Sequence, residues 1–411
     1  MSSHLQIEEA PAARRWPGLC LAFSLSIVAA ACQASGTAAQ AESAGFGSAV
    51  ARPSPAAPDE SRPAERAVER LRAALQSYRS IAAAGGWPQV PEGPKLELGA
   101  SGPRVELLAR RLRATGDLAS AGSQTAIFDA ELDAAVRRFQ ARHGLEVDGI
   151  VGRNTLAALN VPVEQRIDTI ELNIWRLGAE QRDWGERYIA VNTAAPTYQV
   201  VEGGRVEVEK PAIVGRPGWP TPELESLVDR LEFNPTWTVP ARILRLEVQP
   251  KIRRDPGYLA RNDMHWVKGQ LVQAPGPKNP LGKVKFLFAN PYSVYLHDTN
   301  NRQLFKRAAR FLSHGCVRVA GALDLARLLL RDDPAWPPER IDEVVESGKT
   351  VRVELRSPMP LHIVYDTAWV DAAGVVNLRD DVYGRDALIA QTDAPGQQQA
   401  AGGCPATAAR P

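Results

Sequence analysis

Tyr292-Ser293-Val294-Tyr295-Leu296-His297-Asp298-Thr299 is the stretch on which the reading of this chain turns. Its period is two, so an extended strand carries Val294 and Leu296 on one face and Tyr295 and His297 on the other. The imidazole then points away from the apolar face, toward a cleft. A second stretch, Ser313-His314-Gly315-Cys316-Val317-Arg318-Val319, holds the one cysteine of the four that falls within the expected folded body. A thiol with a pKa of about 8.5 is mostly protonated at neutral pH, so nucleophilic chemistry at Cys316 calls for a base. His297 is the candidate. The bland reading makes Cys316 an inert buried apolar group and His297 a satisfied core residue. Gly315 beside the thiol, which permits close backbone approach, and the neighbouring His314 weigh against it.

Around these stretches the pattern alternates over 188–192, 198–201, 206–208, 284–288, 293–296, 351–355, 361–365 and 375–378. Glu202-Gly203-Gly204-Arg205 reads as a hairpin turn. A mainly antiparallel, sandwich- or barrel-like β domain is expected over 187–355, with a β extension over 356–390. The proline-rich segment 216–282, helical near 240–252, reads as a lid-like insertion.

The first half is helical. Val68, Leu71 and Leu75 mark a helix ending at Gly85-Gly86, the start of a scaffold over 64–95; Ile167, Ile170, Ile174 and Leu177 mark a second scaffold helix within 163–186. Between them, 96–162 carries the stripes Val105, Leu108, Leu112 and Leu132, Val136, Phe139, as a three-helix module would. The class is therefore α+β. Before the scaffold, Arg14 and Arg15 precede an apolar run over 19–31, too short to cross a bilayer and read as an export signal. Ala29-Ala30-Ala31-Cys32 is similar to a bacterial lipobox, which makes Cys32 a candidate lipid anchor, and Ala39-Gln40-Ala41 is similar to a signal-peptidase site. The signal is assigned to 1–41, a tether to 42–63 and a disordered tail to 391–411. Export to the periplasm, with or without a membrane tether, is the expected location.

Two sets of residues resemble known families. Phe139-Gln140, His143-Gly144-Leu145, Asp148-Gly149, Gly152 and Thr155-Leu156 resemble a peptidoglycan-binding domain, with His143 read as a helix-end residue. His297-Asp298-Thr299 with Ser313 to Val319, together with Val214-Gly215-Arg216-Pro217, Pro220-Thr221-Pro222, Phe233-Asn234-Pro235, Trp237, Tyr365 to Trp369 and Arg379-Asp380-Asp381, resemble the L,D-transpeptidases with a YkuD-type catalytic domain. The resemblance points to the large periplasmic subgroup. It implies acyl transfer in the bacterial wall: Cys316 attacks a tetrapeptide stem after the L-centre of diaminopimelate, D-Ala leaves, and the amine of a second stem resolves the thioester into a cross-link. His297 is the implied base and His314 a secondary one that orients the site. Backbone N–H groups around Gly315 and Cys316 are the expected oxyanion donors. Arg318, Tyr295 and Ser313 are the implied substrate contacts. No cofactor or metal is called for; a zinc reading of His297, Asp298, His314 and Cys316 is the minor one. The same cysteine could serve an L,D-carboxypeptidase or endopeptidase, and a noncatalytic wall-anchoring protein is the reading from another class.

Composition narrows the field further. The 411 residues carry 49 Lys+Arg against 47 Asp+Glu, a formal charge of +2, which offers no general field for nucleic acid. At 44% hydrophobic residues the chain is too apolar for wholesale disorder, and four scattered cysteines make no disulfide framework.

Overall fold

The structure is a computed structural model that describes residues 63–119, 126–179 and 184–392. The readings made for the signal and for Cys32 lie outside those residues, as do those for the tether and the C-terminal tail except at residues 63 and 391–392. Among the described residues no helix is long and apolar enough to cross a membrane.

The helical half comprises α1 (Pro63–Ala83), α2 (Pro103–Ala114), α3 (Ala130–Arg142), α4 (Arg153–Leu159) and α5 (Val163–Ala179). Both expected stripes of the middle module are interior: Val105, Leu108, Leu112, Val136 and Phe139 are fully buried, with Phe128 and Leu159 closing the core. Asp129 caps α3 by accepting the Leu132 N–H at 2.9 Å. His143 ends the same helix, its Nδ1 2.8 Å from the Phe139 carbonyl and its ring stacked on Phe139. Helices α1 and α5 pack together through Leu71, Leu75, Tyr78 and Ile170. Arg142, buried, forks onto Asp117 at 2.7 and 2.6 Å and approaches the Tyr78 hydroxyl, joining the module to that scaffold.

The period then changes to two. The strands are β1 (Tyr188–Asn192), β2 (Thr197–Glu202), β3 (Arg205–Gly215) and β4 (Leu224–Phe233), followed by an excursion holding β5 (Trp237–Thr238), α6 (Ala241–Ile243), a π-helical turn (Leu244–Val248), α7 (Gln249–Arg254), α8 (Tyr258–Arg261), β6 (Met264–Val267) and β7 (Gln270–Gln273). After it come β8 (Val284–Phe288), β9 (Leu296–His297), β10 (Phe311–Ser313), β11 (Val317–Val319), α9 (Ala322–Leu330), α10 (Pro338–Glu346), β12 (Val351–Val364), β13 (Ala368–Val370), β14 (Val376–Leu378) and α11 (Arg385–Thr392). The large sheet runs β10-β3-β11-β9-β8-β4-β12-β1-β2, and β2 pairs back onto β3, which closes eight of its strands into a ring. Closure leaves few unpaired edges. Most ladders are antiparallel; β1 with β12, β9 with β11, and β3 with β10 are parallel. Gly203 and Gly204 both have positive φ between paired Glu202 and Arg205, the two-residue turn expected there.

Three expectations change. The insertion does not begin at 216: Leu224–Phe233 is a central strand paired with β8 and β12, so the excursion starts after Phe233. A register shift between Val228 and Arg230 interrupts its period of two, and the flanking prolines made it read as loop. The strand over 293–296 shrinks to Leu296–His297, because Asn290 folds the chain into a turn by accepting the Tyr292 and Val294 N–H groups while Ser293 takes φ 56°. Strand β12 runs through residue 355, so its two expected halves are one bulged strand. The β13–β14 hairpin packs on α1 and α5, with Ala368 and Leu378 in the same core as Leu71 and Ile170.

Candidate active site

Strands β9 and β11 lie side by side and parallel, Val317 opposite Leu296 and Arg318 opposite His297. Directly opposed residues share a face. Leu296 and Val317 enter the barrel core at 0% and 1% exposure, so His297 and Arg318 stand on the outer face. One step back along each strand, Val317 donates its N–H to the Tyr295 carbonyl, which sets Cys316 alongside Tyr295. The backbone N–H and the phenol of Tyr295 both act to lower the pKa of the thiol. On the other side of β9, Lys285 of β8 lies opposite His297. Its ammonium sits 4.3 Å above the Tyr295 ring. Lys285, Tyr295, His297, Cys316 and Arg318 thus form one outer-face cluster.

His297 is buried, and its Nδ1 lies 2.6 Å from the Asp298 carbonyl oxygen. A carbonyl can only accept, so Nδ1 carries the proton and Nε2 keeps the lone pair. Burial, followed by the Arg318 charge, lowers the imidazole pKa to about 3, with Lys285 acting in the same direction. Burial raises the Cys316 thiol above its ordinary value, more than Tyr295, Lys285 and Arg318 lower it. Both groups therefore rest neutral, a thiol at the start of one strand and an imidazole on the strand next to it. Burial likewise pushes the Tyr295 phenol up and keeps it protonated.

The turn before Cys316 is held from three sides. Ser313, buried, donates its hydroxyl to the Cys316 carbonyl at 2.5 Å and accepts the Gly315 N–H at 3.2 Å. Gly315 has φ 109°, where a side chain would be strained. Thr221 donates to the Gly315 carbonyl at 2.8 Å and accepts the Gly215 N–H at 2.9 Å. A Cβ on Gly215 would run into the Trp219 carbonyl, so glycine is what lets the 215–221 loop fold against the turn. From the C-terminal segment, the Tyr383 hydroxyl donates to the Gly215 carbonyl and Arg385 to the Thr221 carbonyl. Thr367 and Asp386 of that segment meet Asn173 and Arg176 of α5, which links the scaffold to the turn that carries Cys316.

His314 turns the other way. Its Nε2 donates to Glu247 at 2.6 Å, and Arg216 reaches the same carboxylate oxygen at 3.0 Å. Trp219 packs edge-on to His314 with Arg242 above its ring. Glu247 and Arg242 belong to the excursion, so His314 is where that segment grips the turn.

Of the residues singled out in sequence, Cys316, His297, Tyr295 and Arg318 gather on one face. Ser313 does not present itself to substrate: it is buried, and its hydroxyl is spent inside the turn. The Gly315 N–H, expected as an oxyanion donor, is taken by Ser313; the Cys316 N–H has no partner among the described residues. For the zinc reading, Asp298 directs its carboxylate to the Lys283 N–H and Arg302, and His314 is committed to Glu247. Among the described residues no three potential ligands converge on a metal position. Lys285 and Glu247 escaped sequence reasoning, and Thr221 entered it only within the Pro220-Thr221-Pro222 match, without its part in the turn. Lys285 alternates properly within Val284–Phe288, but only the register with β9 sets it opposite His297.

Fold and site together define a β-barrel domain that displays a cysteine and a buried histidine on adjoining strands. Residues 186–352 match the family model of the L,D-transpeptidase catalytic domain, YkuD, and residues 101–159 match the model described as "Putative peptidoglycan binding domain". The chain carries a YkuD-type L,D-transpeptidase catalytic domain preceded by a peptidoglycan-binding domain. It is similar to a curated Haemophilus influenzae protein named "Putative L,D-transpeptidase", 33% identical over 222 residues, or 49% of this chain. The chain spans less than half of that relative, 45% of its length. Solved structures similar to it include the L,D-transpeptidase from Stackebrandtia nassauensis (16% identity, 68% of this chain and 97% of that one, TM-score 0.26). Another is the L,D-transpeptidase from Xylanimonas cellulosilytica (18% identity, 66% and 98%, TM-score 0.24).

Proposed function

We propose that the protein is an L,D-transpeptidase that cross-links peptidoglycan stems between third-position diaminopimelate residues through a thioester on Cys316. The observation that carries this reading is the pairing of β9 with β11, with the Nδ1 proton of His297 committed to the Asp298 carbonyl. Nε2 is left to take the thiol proton as sulfur attacks the scissile carbonyl. Because both groups rest neutral, the proton moves with the attack and no ion pair is stored beforehand. The Cys316 N–H is the donor at hand for the developing oxyanion. The imidazolium next protonates the departing amine of D-Ala, the C–N bond breaks, and the thioester remains. A second stem's amine then attacks the thioester, gives its extra proton to His297, and releases Cys316 as a thiol.

Two further parts of the proposal follow from the substrate. Residues 101–159 hold the enzyme on the wall, and the chain acts outside the cytoplasm, exported through its N-terminal segment with Cys32 as a candidate lipid anchor. Purified protein incubated with disaccharide tetrapeptides tests the chemistry. Mass spectrometry is expected to find Cys316-dependent dimers lacking one alanine. Tripeptides alone would make the protein a hydrolase, and no product that Cys316→Ala abolishes would sink acyl transfer altogether. Cell fractionation, with metabolic lipid labelling of Cys32→Ala against the parent, tests the location.

A further inference from the structure

Two cations flank His297, and neither is neutralised. Lys285 lies opposite it on β8 and Arg318 opposite it on β11. With neighbouring strands about 4.8 Å apart, their backbones stand roughly 10 Å apart, with the imidazole between. Among the described residues neither forms an ion pair, and the buried Nε of Arg318 has no hydrogen-bond partner. The nearby carboxylate, Glu232 opposite Lys285 on β4, is already paired with Arg352 at 2.7 Å. Burial lowers both cations' pKa values by more than their neighbours, Glu232 beside Lys285 among them, raise them. Half-buried unpaired cations with an orphaned guanidinium N–H are costly unless an anion completes them.

We infer that Lys285 and Arg318 form a carboxylate subsite that holds the free C-terminal carboxylate of the donor peptide, so that the site selects peptides ending one residue past the scissile bond. This rests on the acyl-transfer reading above. The departing residue carries its amine and its carboxylate on one α-carbon. A carboxylate held by the two cations therefore keeps the departing amine over His297, the group that must protonate it. Arg318 offers a fork of N–H donors, and Lys285 closes the other side as a point charge.

The experiment compares two donors: a disaccharide tetrapeptide with its terminal carboxylate free, and the same compound with that carboxyl amidated. The full chain is expected to favour the free carboxylate in kcat/KM by about tenfold or more. Lys285→Met should narrow that ratio toward one, and Lys285→Arg should restore part of it. Calorimetry on Cys316→Ala measures the same preference in binding alone, with Lys285→Met added in that background. Equal losses on both donors, or an unchanged ratio, would overturn the subsite, since Lys285 would then act only on the thiol or the fold. Carboxylate-selective binding without turnover keeps the subsite and removes the acyl-transfer reading. Turnover without carboxylate preference does the reverse.

Discussion

Thr221 and Gly315 are joined by a 2.8 Å hydrogen bond from the threonine hydroxyl to the glycine carbonyl, and the same oxygen accepts the Gly215 N–H. Thr221 is fully buried, so water cannot replace either contact. Thr221→Val keeps the shape and removes both bonds. It is expected to cost about 1–3 kcal/mol of stability, with turnover falling further than stability does because the turn carrying Cys316 loosens. Thr221→Ser should retain most of both. Urea denaturation and steady-state turnover on the three proteins check this, and an unchanged Thr221→Val enzyme would remove the role.

The depressed His297 pKa has a consequence for acid stability. The folded value of about 3 lies below the ordinary 6.5, so between those pH values the unfolded chain binds a proton that the folded one excludes. The stabilising contribution is complete above about pH 6.5 and is lost as pH falls toward 3. His297→Gln should therefore show a flatter decline of urea midpoint over that window than the parent does. His143, also buried and depressed, stays present in both proteins and cancels in the comparison.

Cys316 should behave as an unactivated thiol in the free protein. Because burial raises its pKa, alkylation by iodoacetamide is expected to keep rising above pH 8.5 and to show no plateau near neutrality. A plateau below pH 7 would mean a preformed thiolate–imidazolium pair and would contradict the neutral resting state.

Glu247 ties the excursion to the Cys316 turn through His314 and to the neighbouring 215–221 loop through Arg216. Both side-chain pairs are partly exposed, so Glu247→Ala should cost no more than about 1 kcal/mol of global stability. Hydrogen exchange over 241–254 should nevertheless accelerate, and KM should change more than kcat. An exchange pattern identical to the parent would show that the contact does not restrain the segment.

Removing Arg142 should cost far more. Arg142→Met leaves the Asp117 carboxylate buried without its forked partner, an expected loss of about 3–5 kcal/mol measured by urea denaturation. A loss below 1 kcal/mol would mean that Asp117 finds other compensation.

How far the sequence reached differs from element to element. Helical stripes such as Val105, Leu108 and Leu112 were legible because a period of three or four needs only local chain to show which face is buried. The Gly203-Gly204 turn was legible for the same reason. Strand β4 was not: its register shift breaks the alternation, and pairing with β8 and β12 alone makes Leu224–Phe233 a strand. The part Ser313 plays inside its turn was not legible, because nothing local says that a hydroxyl there will bond to the turn's own backbone.

By itself the sequence determined the α+β class and the order of helical module and β domain, and it singled out Cys316 and His297 as the candidate thiol and base, since all of these rest on local period or residue type. Tertiary structure decided what surrounds them. Only strand pairing sets Lys285 and Arg318 on either side of His297, and only the chain's return from residue 365 to 386 braces the turn through Tyr383, Arg385 and Thr221. Those contacts join residues tens to hundreds of positions apart. Their register follows from which faces the closed barrel buries, and no local stretch of sequence carries that information.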